Sequence, residues 1–320
     1  MRVELPHGHT WLSVVMPSYR GEQWIDTALQ SLDAERNEGI EVLLIDSGDT
    51  GAAREIAQKY SNRLRMRIFE RRDLSSWHTK TNFGVEMAES EHVSWLGVDD
   101  IWLPGRTAAV QAWIKAAPEA PLHFGPSEII AQDGRRLGVW GCPLPKECPL
   151  PPAFVTERLL IQNFVAAPAP VFRKDAWLNC GGLDENLWYT ADWDMWLKLT
   201  ARAPTYYHSE VTVGFRIHAG SLTATGSRDT TDFGCQMQIV LERHLSSLEN
   251  PSKGIERAAR ASIAVNSALA SASAGDFRGL PRAALRIASL GPAGMRRYCR
   301  DSRIIERLMP RLRAKFAGSF

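Results

Sequence analysis

Two acids stand side by side at Asp99-Asp100, after the apolar run VSWLGV. Adjacent carboxylates repel, and a hard divalent cation such as magnesium or manganese is their simplest neutraliser. The plainer alternative is a helix N-cap at Asp100 with Asp99 in water. Asp46 closes another apolar run, EVLLID, and Ser47-Gly48-Asp49 follow it. A carboxylate on flexible backbone there suits a nucleoside, or simply caps a strand-to-helix turn. Asp192 and Asp194 lie in TADWDMWLKL. Helical residues two apart do not share a face, so at most one of them enters a given site. Asp192, in the first turn, is the better candidate general base, because a helix N-terminus favours the ionised carboxylate. Trp193 and Trp196, three apart, share a side and are expected to pack. His218, in FRIHAGS, is suited to a metal or a phosphate, or is an ordinary surface histidine.

The elements that must position these groups follow from hydrophobic periodicity. WLSVVMPSY reads as a buried strand ended by Pro17-Ser18-Tyr19, and GEQWIDTALQSL has helical spacing. EVLLID is a second strand and GAAREIAQKY a short helix; RLRMRIFER is a third strand and SSWHTKTNFGVEMAES a further helix. HVSWLGVDD is a fourth strand ending in the two acids, and PGRTAAVQAWIKAA opens a helix at Pro104. Alternation of this kind over residues 11–117 predicts a doubly wound, mostly parallel sheet. Ligands of such sheets bind outside the carboxyl ends of the strands, where the polar groups cluster here.

The pattern changes after residue 120. LHFGPSEIIAQDGRRLGVW predicts a hairpin turning at Asp133-Gly134. The proline-rich stretch 142–152 predicts an irregular loop, over an acceptor cleft or simply linking elements. AFVTERLLIQNFV predicts a helix, APAPVFRKDAWLNCGG a strand and short helix, YTADWDMWLKLTAR a helix, and EVTVGFRIHAGS a strand and loop. From Asp232 onward the chain reads as helical and alanine-rich.

The 320 residues are 44% hydrophobic and 23% charged, ordinary values for a soluble globular protein. This excludes a disordered, collagen-like or coiled-coil chain. No apolar run approaches the roughly 18 residues of a membrane span, and the first 20 residues lack a signal-peptide pattern. A net charge of +2 does not suggest a nucleic-acid partner. From Asp276 onward, however, eleven Arg/Lys face three acids. That basic, partly amphipathic end suits either an anionic membrane surface or a helical cap with a solvated face. The five scattered cysteines suggest a reducing compartment, and Cys142 and Cys148 are too isolated from other soft ligands for a zinc site. The expected location is cytoplasmic, with or without peripheral contact at the inner membrane face.

Each signal is weak alone; their order is specific. VVMPSYRGEQWIDTALQSL, EVLLIDSGD, KTNFGVEMAESEHVSWLGVDDIWLPGR, APVFRKDAWLNCGGLDENLWYTADWDMWLKL and FRIHAGSLT together resemble the family 2 nucleotide-sugar glycosyltransferases with the GT-A fold, over roughly residues 10–225. The resemblance implies a Rossmann-like α/β catalytic domain over 1–230, with a nucleotide-binding half (10–120) and an acceptor half (121–230). A helical, basic extension over 231–320 would follow it. It implies that Pro17, Ser18 and Tyr19 wrap the nucleotide base, with Asp46 and Ser47 near base and ribose. Val98-Asp99-Asp100 resembles the DXD-type signature, with Asp100 a ligand of Mn2+ or Mg2+ and Asp99 a contact to the donor ribose or sugar. Asp192 matches the catalytic base and His218 the later histidine that joins metal and diphosphate.

Three positions depart from the family pattern. Ser47 stands where many members carry a second acid that reads uracil, Gly97 where an extra acid often precedes the DXD, and Ala191 where a Glu is common. The implied activity is inverting transfer of a sugar from a nucleotide-diphosphate sugar, a UDP-sugar favoured, to a glycan or lipid-linked hydroxyl acceptor. Trp188, Tyr189 and Trp193 beside the base suit sugar stacking or a core. Two other readings stay open. One is a degenerate sugar- or nucleotide-binding module, which Ala191 favours. The other is a sugar-phosphate nucleotidyltransferase, which the single glycine of PSYRGEQW disfavours.

Overall fold

A computed structural model describes residues 10–35, 38–221, 230–248 and 252–316. Four parallel strands begin the fold: β1 (Leu12–Ser18), β2 (Ile40–Asp46), β3 (Arg65–Glu70) and β4 (His92–Trp95), in spatial order β3-β2-β1-β4. All residues of β1 and β2 are buried, which is why apolar residues stand consecutively at Val14–Met16 and Val42–Ile45 rather than alternating. The intervening helices are α1 (Ile25–Asp33), α2 (Ala52–Gln58) and α3 (Trp77–Met87). Helix α1 buries Ile25, Ala28, Leu29 and Leu32, one stripe at helical spacing. Helix α3 starts at Ser76, whose Oγ accepts from the Thr79 N–H at 3.1 Å. Gly84 lets α3 lie directly on the sheet, since a Cβ there would overlap the Val15 side chain and stand 2.8 Å from that of Ile45.

The expected fourth strand is shorter than HVSWLGVDD. It stops at Trp95, and Gly97–Asp100 form a turn closed by the Asp100 N–H donating to the Gly97 carbonyl at 3.1 Å. The acids therefore sit on a tight loop beyond the strand. After β5 (Ile101–Trp102) and α4 (Arg106–Ala116) come β6 (Leu122–Phe124), β7 (Ser127–Ile130) and β8 (Arg136–Trp140). The expected hairpin is β7–β8, antiparallel, with Gly134 at φ 85° in its turn. The proline-rich stretch is not wholly irregular. Pro149–Leu150 form β9 against β11 (Thr205–Tyr207), because a proline without an N–H is tolerated at a sheet edge.

Helix α5 (Pro152–Ile161), β10 (Val171–Arg173), α6 (Lys174–Asn179), α7 (Ala191–Thr200) and β12 (Val213–Arg216) complete this part. Strand β10 runs antiparallel to β4 and β6, giving an eight-stranded sheet of order β3-β2-β1-β4-β10-β6-β11-β9. A second sheet, β5-β12-β7-β8, stands beside the carboxyl end of β4. Arg106 pins the junction: fully buried, it donates to Thr212 Oγ1, Ser94 Oγ and the carbonyls of Pro168 and Ala169.

The remaining described helices are α8 (Thr230–Ser246), α9 (Lys253–Ser273), α10 (Leu280–Ala288), α11 (Gly291–Ser302) and α12 (Ile304–Phe316). Helix α9 packs on α5 and α8, while α12 packs on β8. Their apolar residues Val240, Leu241, Ile255, Ala259 and Tyr298 join the same core as α5 and α7. No described helix is long and apolar enough to cross a membrane.

Candidate active site at the carboxyl ends of the strands

A cavity of about 740 Å³ opens beyond the carboxyl ends of β1 and β4. Pro17, Ser18 and Tyr19 line one end, because β1 delivers its last residues there. Tyr19 is 55% exposed, so its ring is free to cover a ligand. Asp46 and Ser47 lie behind this wall. Asp46 is fully buried, accepts from the Gly48 N–H at 3.2 Å and pairs with Arg54 at 3.5 Å. Lys80 of α3 stands in front, lining the cavity and donating from Nζ to Ser47 Oγ at 2.6 Å. Burial lowers the Lys80 amine to about 8. An ammonium thus presents itself where a carboxylate was expected. Its only sequence signal was a lysine inside an otherwise ordinary helix.

Asp99, Asp100 and His218 meet in the middle. His218 follows β12, which the second sheet brings against β5, and its Nε2 lies 3.1 Å from Asp99 Oδ2. The histidine therefore contacts Asp99 rather than Asp100. Asp100 is 4% exposed, and its Oδ1 accepts from the Arg216 N–H at 2.8 Å. Burial, then the Asp99 charge, raises its carboxyl well above the usual range, with Arg216 opposing both. A Cβ at Gly97 would meet Asp99 Oδ1 at 2.7 Å and Asp100 Oδ2 at 3.1 Å. Both carboxylates therefore converge over Gly97, and a side chain at that position would compete for their space.

Two converging carboxylates and an imidazole form a donor set suited to a hard or borderline divalent cation, which would offset the burial and the Asp99 repulsion that disfavour the Asp100 carboxylate. A separate group, Glu147, His208 and Glu210, brings three ligand atoms within 4.8 Å of one another away from the cavity. Its Glu147 already accepts from His208 and Ser209.

Asp192 and Asp194 separate as helical geometry requires. Asp194 is fully buried and bound by Lys198, Arg243 and His244, a structural role. Asp192 faces the cavity from the first turn of α7, with Trp193 N–H at 2.7 Å and Asn163 Nδ2 at 3.3 Å from its carboxylate oxygens. Burial nonetheless raises its carboxyl to about 6, so the dipole of the short helix does not prevail. Ala191 is wholly buried in the core.

Trp188 and Tyr189 line the cavity beside Asp192, with Trp188 Nε1 donating to Asp232. Trp193 reaches the lining but is 5% exposed and donates to the Leu159 carbonyl, so most of its ring serves the core. Asn163, Asn266, Arg307 and Arg311 also line this end. The basic C-terminal segment was legible only as amphipathic. The packing of α12 on β8 turns two of its arginines inward.

Residues 13–123 match the family model described as Glycosyl transferase family 2. An uncharacterized glycosyltransferase of Rickettsia prowazekii is 24% identical over 69% of this chain and 69% of its own length. Another, from Rickettsia conorii, is 24% identical over 66% of this chain but 35% of its own, so the chain spans about a third of that relative. Among solved structures, S. aureus TarS in complex with UDP-GlcNAc superposes with a TM-score of 0.63 at 16% identity, covering 88% of this chain and 80% of that one. The mannosyltransferase PcManGT from Pyrobaculum calidifontis, in complex with GDP-Man and Mn2+, gives a TM-score of 0.53 at 14% identity, covering 92% and 85%. Taken with the strand order and the acids gathered beyond β4, these likenesses show a family 2 glycosyltransferase match over residues 13–123 and, for the chain as a whole, the GT-A fold.

Proposed function

We propose that this chain is an inverting glycosyltransferase that moves a sugar from a nucleotide-diphosphate sugar, a UDP-sugar first, to a hydroxyl of a glycan or lipid-linked acceptor. The observation that carries this reading is the shared cavity. It holds a convergent Asp99–Asp100–His218 group at the donor end and a carboxyl tuned to about 6 at the other. A base with that pKa is ionised at neutral pH yet still able to take a proton.

In the proposed step the acceptor oxygen forms its bond to the anomeric carbon as the bond to the diphosphate oxygen breaks, and Asp192 receives the hydroxyl proton. Asn163 and the Trp193 N–H hold the Asp192 carboxylate in place. Trp188 and Tyr189 offer aromatic surface to a sugar and exclude water. Asp99, Asp100 and His218 would hold Mn2+ or Mg2+, which when bound neutralises charge on the leaving diphosphate. Tyr19 and Lys80 would receive the nucleoside, with Asp46 and Ser47 supporting Lys80 from behind.

Thermal stabilisation by UDP, GDP and dTDP, each with and without manganese, tests the donor site. The expected result is selective, metal-dependent stabilisation by one nucleotide, followed by turnover of the matching nucleotide-sugar that Asp192→Asn abolishes. A folded sample that responds to none, or an Asp192→Asn variant near full activity, refutes the proposal.

A further inference from the structure

We propose that Arg307 and Arg311 are an acceptor-binding pair, and that the acceptor carries a phosphate or carboxylate close to the hydroxyl that receives the sugar. This rests on the transferase reading above.

Both arginines project from α12 into the cavity that holds Asp192. Both are half-buried, and neither forms an ion pair among the described residues. Arg307 uses one nitrogen, donating from Nη2 to Asn266 Oδ1 at 3.0 Å; its Nε and Nη1 are sealed from solvent without any partner. Arg311 donates from Nη1 to the Arg307 carbonyl at 2.7 Å. Like charges four apart on a helix repel, and burial without a counter-charge costs more than surface exposure would. Nothing in the basic composition alone requires these two to turn inward.

The fold nevertheless holds them there. Glu306 Oε2 accepts from the Gly141 N–H at 3.2 Å, Arg313 donates to the Leu137 carbonyl at 2.7 Å, and Pro310 lies against Gly138. These contacts dock α12 on β8 and fix its rotation, so that the neighbouring side bearing Arg307 and Arg311 lines the cavity. A polar chain joins the pair to the base. Arg307 donates to Asn266, whose Nδ2 donates to Gln162 Oε1 at 2.8 Å, and Asn163, next along the backbone, donates to Asp192. Two guanidinium forks with unused donors match the geometry of an oxyanion.

The donor diphosphate is the competing occupant. The ionisable groups that act on Arg307 and Arg311 are each other, Tyr189 and Tyr298. Those that act on Arg216, beside the proposed metal ligands, are Asp100, Asp99 and Asp133. Arg307 is instead joined through Asn266 and Gln162 to the segment whose Asn163 holds Asp192, and this connection is what assigns the pair to the acceptor end.

Titration calorimetry on the full chain, saturated with UDP and manganese, tests this with glucose 6-phosphate, glucuronate and glucose as probes. At least one anionic probe should bind about tenfold more tightly than glucose, and which one does so distinguishes phosphate from carboxylate. Arg307→Gln and Arg311→Gln should each remove most of that preference while UDP affinity holds; Arg311→Lys should keep part of it. Added salt should weaken the anionic probe and not glucose, a readout needing no variant. Equal binding of all three probes, or a preference that survives both substitutions, overturns the proposal. So does a loss of UDP affinity in the variants, which would assign the pair to the donor. Should wild type fail to bind UDP, the transferase reading falls, while probe preference on the nucleotide-free chain still decides the role of the arginines.

Discussion

Replacing Asp192 by Asn should abolish transfer and make the protein more stable at neutral pH. The carboxyl has an ordinary value of 3.8 in the unfolded chain and about 6 in the folded one, because burial disfavours its charge. Below about pH 4 both states are protonated and the group costs nothing. Between about pH 4 and 6 the unfolded chain ionises first, so stability falls as pH rises; above about pH 6 the cost is constant. The full shift corresponds to about 3 kcal/mol. Two corrections reduce it. The site is only half-buried, so solvent screens part of the effect. Asn also keeps one acceptor where the carboxylate has two, and loses either the Trp193 or the Asn163 hydrogen bond, about 1 kcal/mol.

The net expected gain is about 1–2 kcal/mol at pH 8, or about 1.5–3 °C in Tm for a chain of this size. At pH 4 the gain should vanish or reverse slightly. Melting of wild type and Asp192→Asn across pH 4–8, with parallel turnover of the donor found by the nucleotide screen, is the assay. An inactive variant that is less stable at pH 8, or a stability difference that does not change with pH, would refute the physical account of this carboxyl. Wild-type kcat/KM should in turn fall with unit slope below about pH 6.

Two further outcomes follow from the donor end. Gly97→Ala places a methyl 2.7 Å from Asp99 Oδ1 and 3.1 Å from Asp100 Oδ2. It should weaken manganese-dependent nucleotide binding by about tenfold or more, by displacing the carboxylates, with metal-free binding little changed; titration with and without manganese checks this. Lys80→Met removes the ammonium held against Ser47. Wild-type nucleotide affinity should decline as pH rises through about 8, where the amine loses its proton, and the variant should bind about tenfold more weakly with no such decline.

The elements were legible because their signals are local. Strand and helix alternate in the hydrophobic period, so β1 to β4 and α1 to α4 could be placed from spacing alone. The choice of Asp192 over Asp194 followed from the helical repeat, which sends residues two apart to different sides. Errors arose where a local rule was overruled. The end of β4 was lost to the Gly97–Asp100 turn, and Pro149 joined an edge strand because a neighbour was there to pair with it.

What only the tertiary structure decided were the partners. His218 finds Asp99 across 119 positions of chain because β12 pairs with β5. Lys80 comes in front of Asp46 and Ser47 because Gly84 lets α3 lie flat on β1 and β2. Arg307 and Arg311 line the same cavity as Asp192 because α12 docks on β8. Residue order and periodicity determine which side of an element a group occupies, since backbone geometry is local. Which sides meet depends on packing across the whole chain, and that packing brought Asp99, Asp100, His218, Asp192, Arg307 and Arg311 to one cavity.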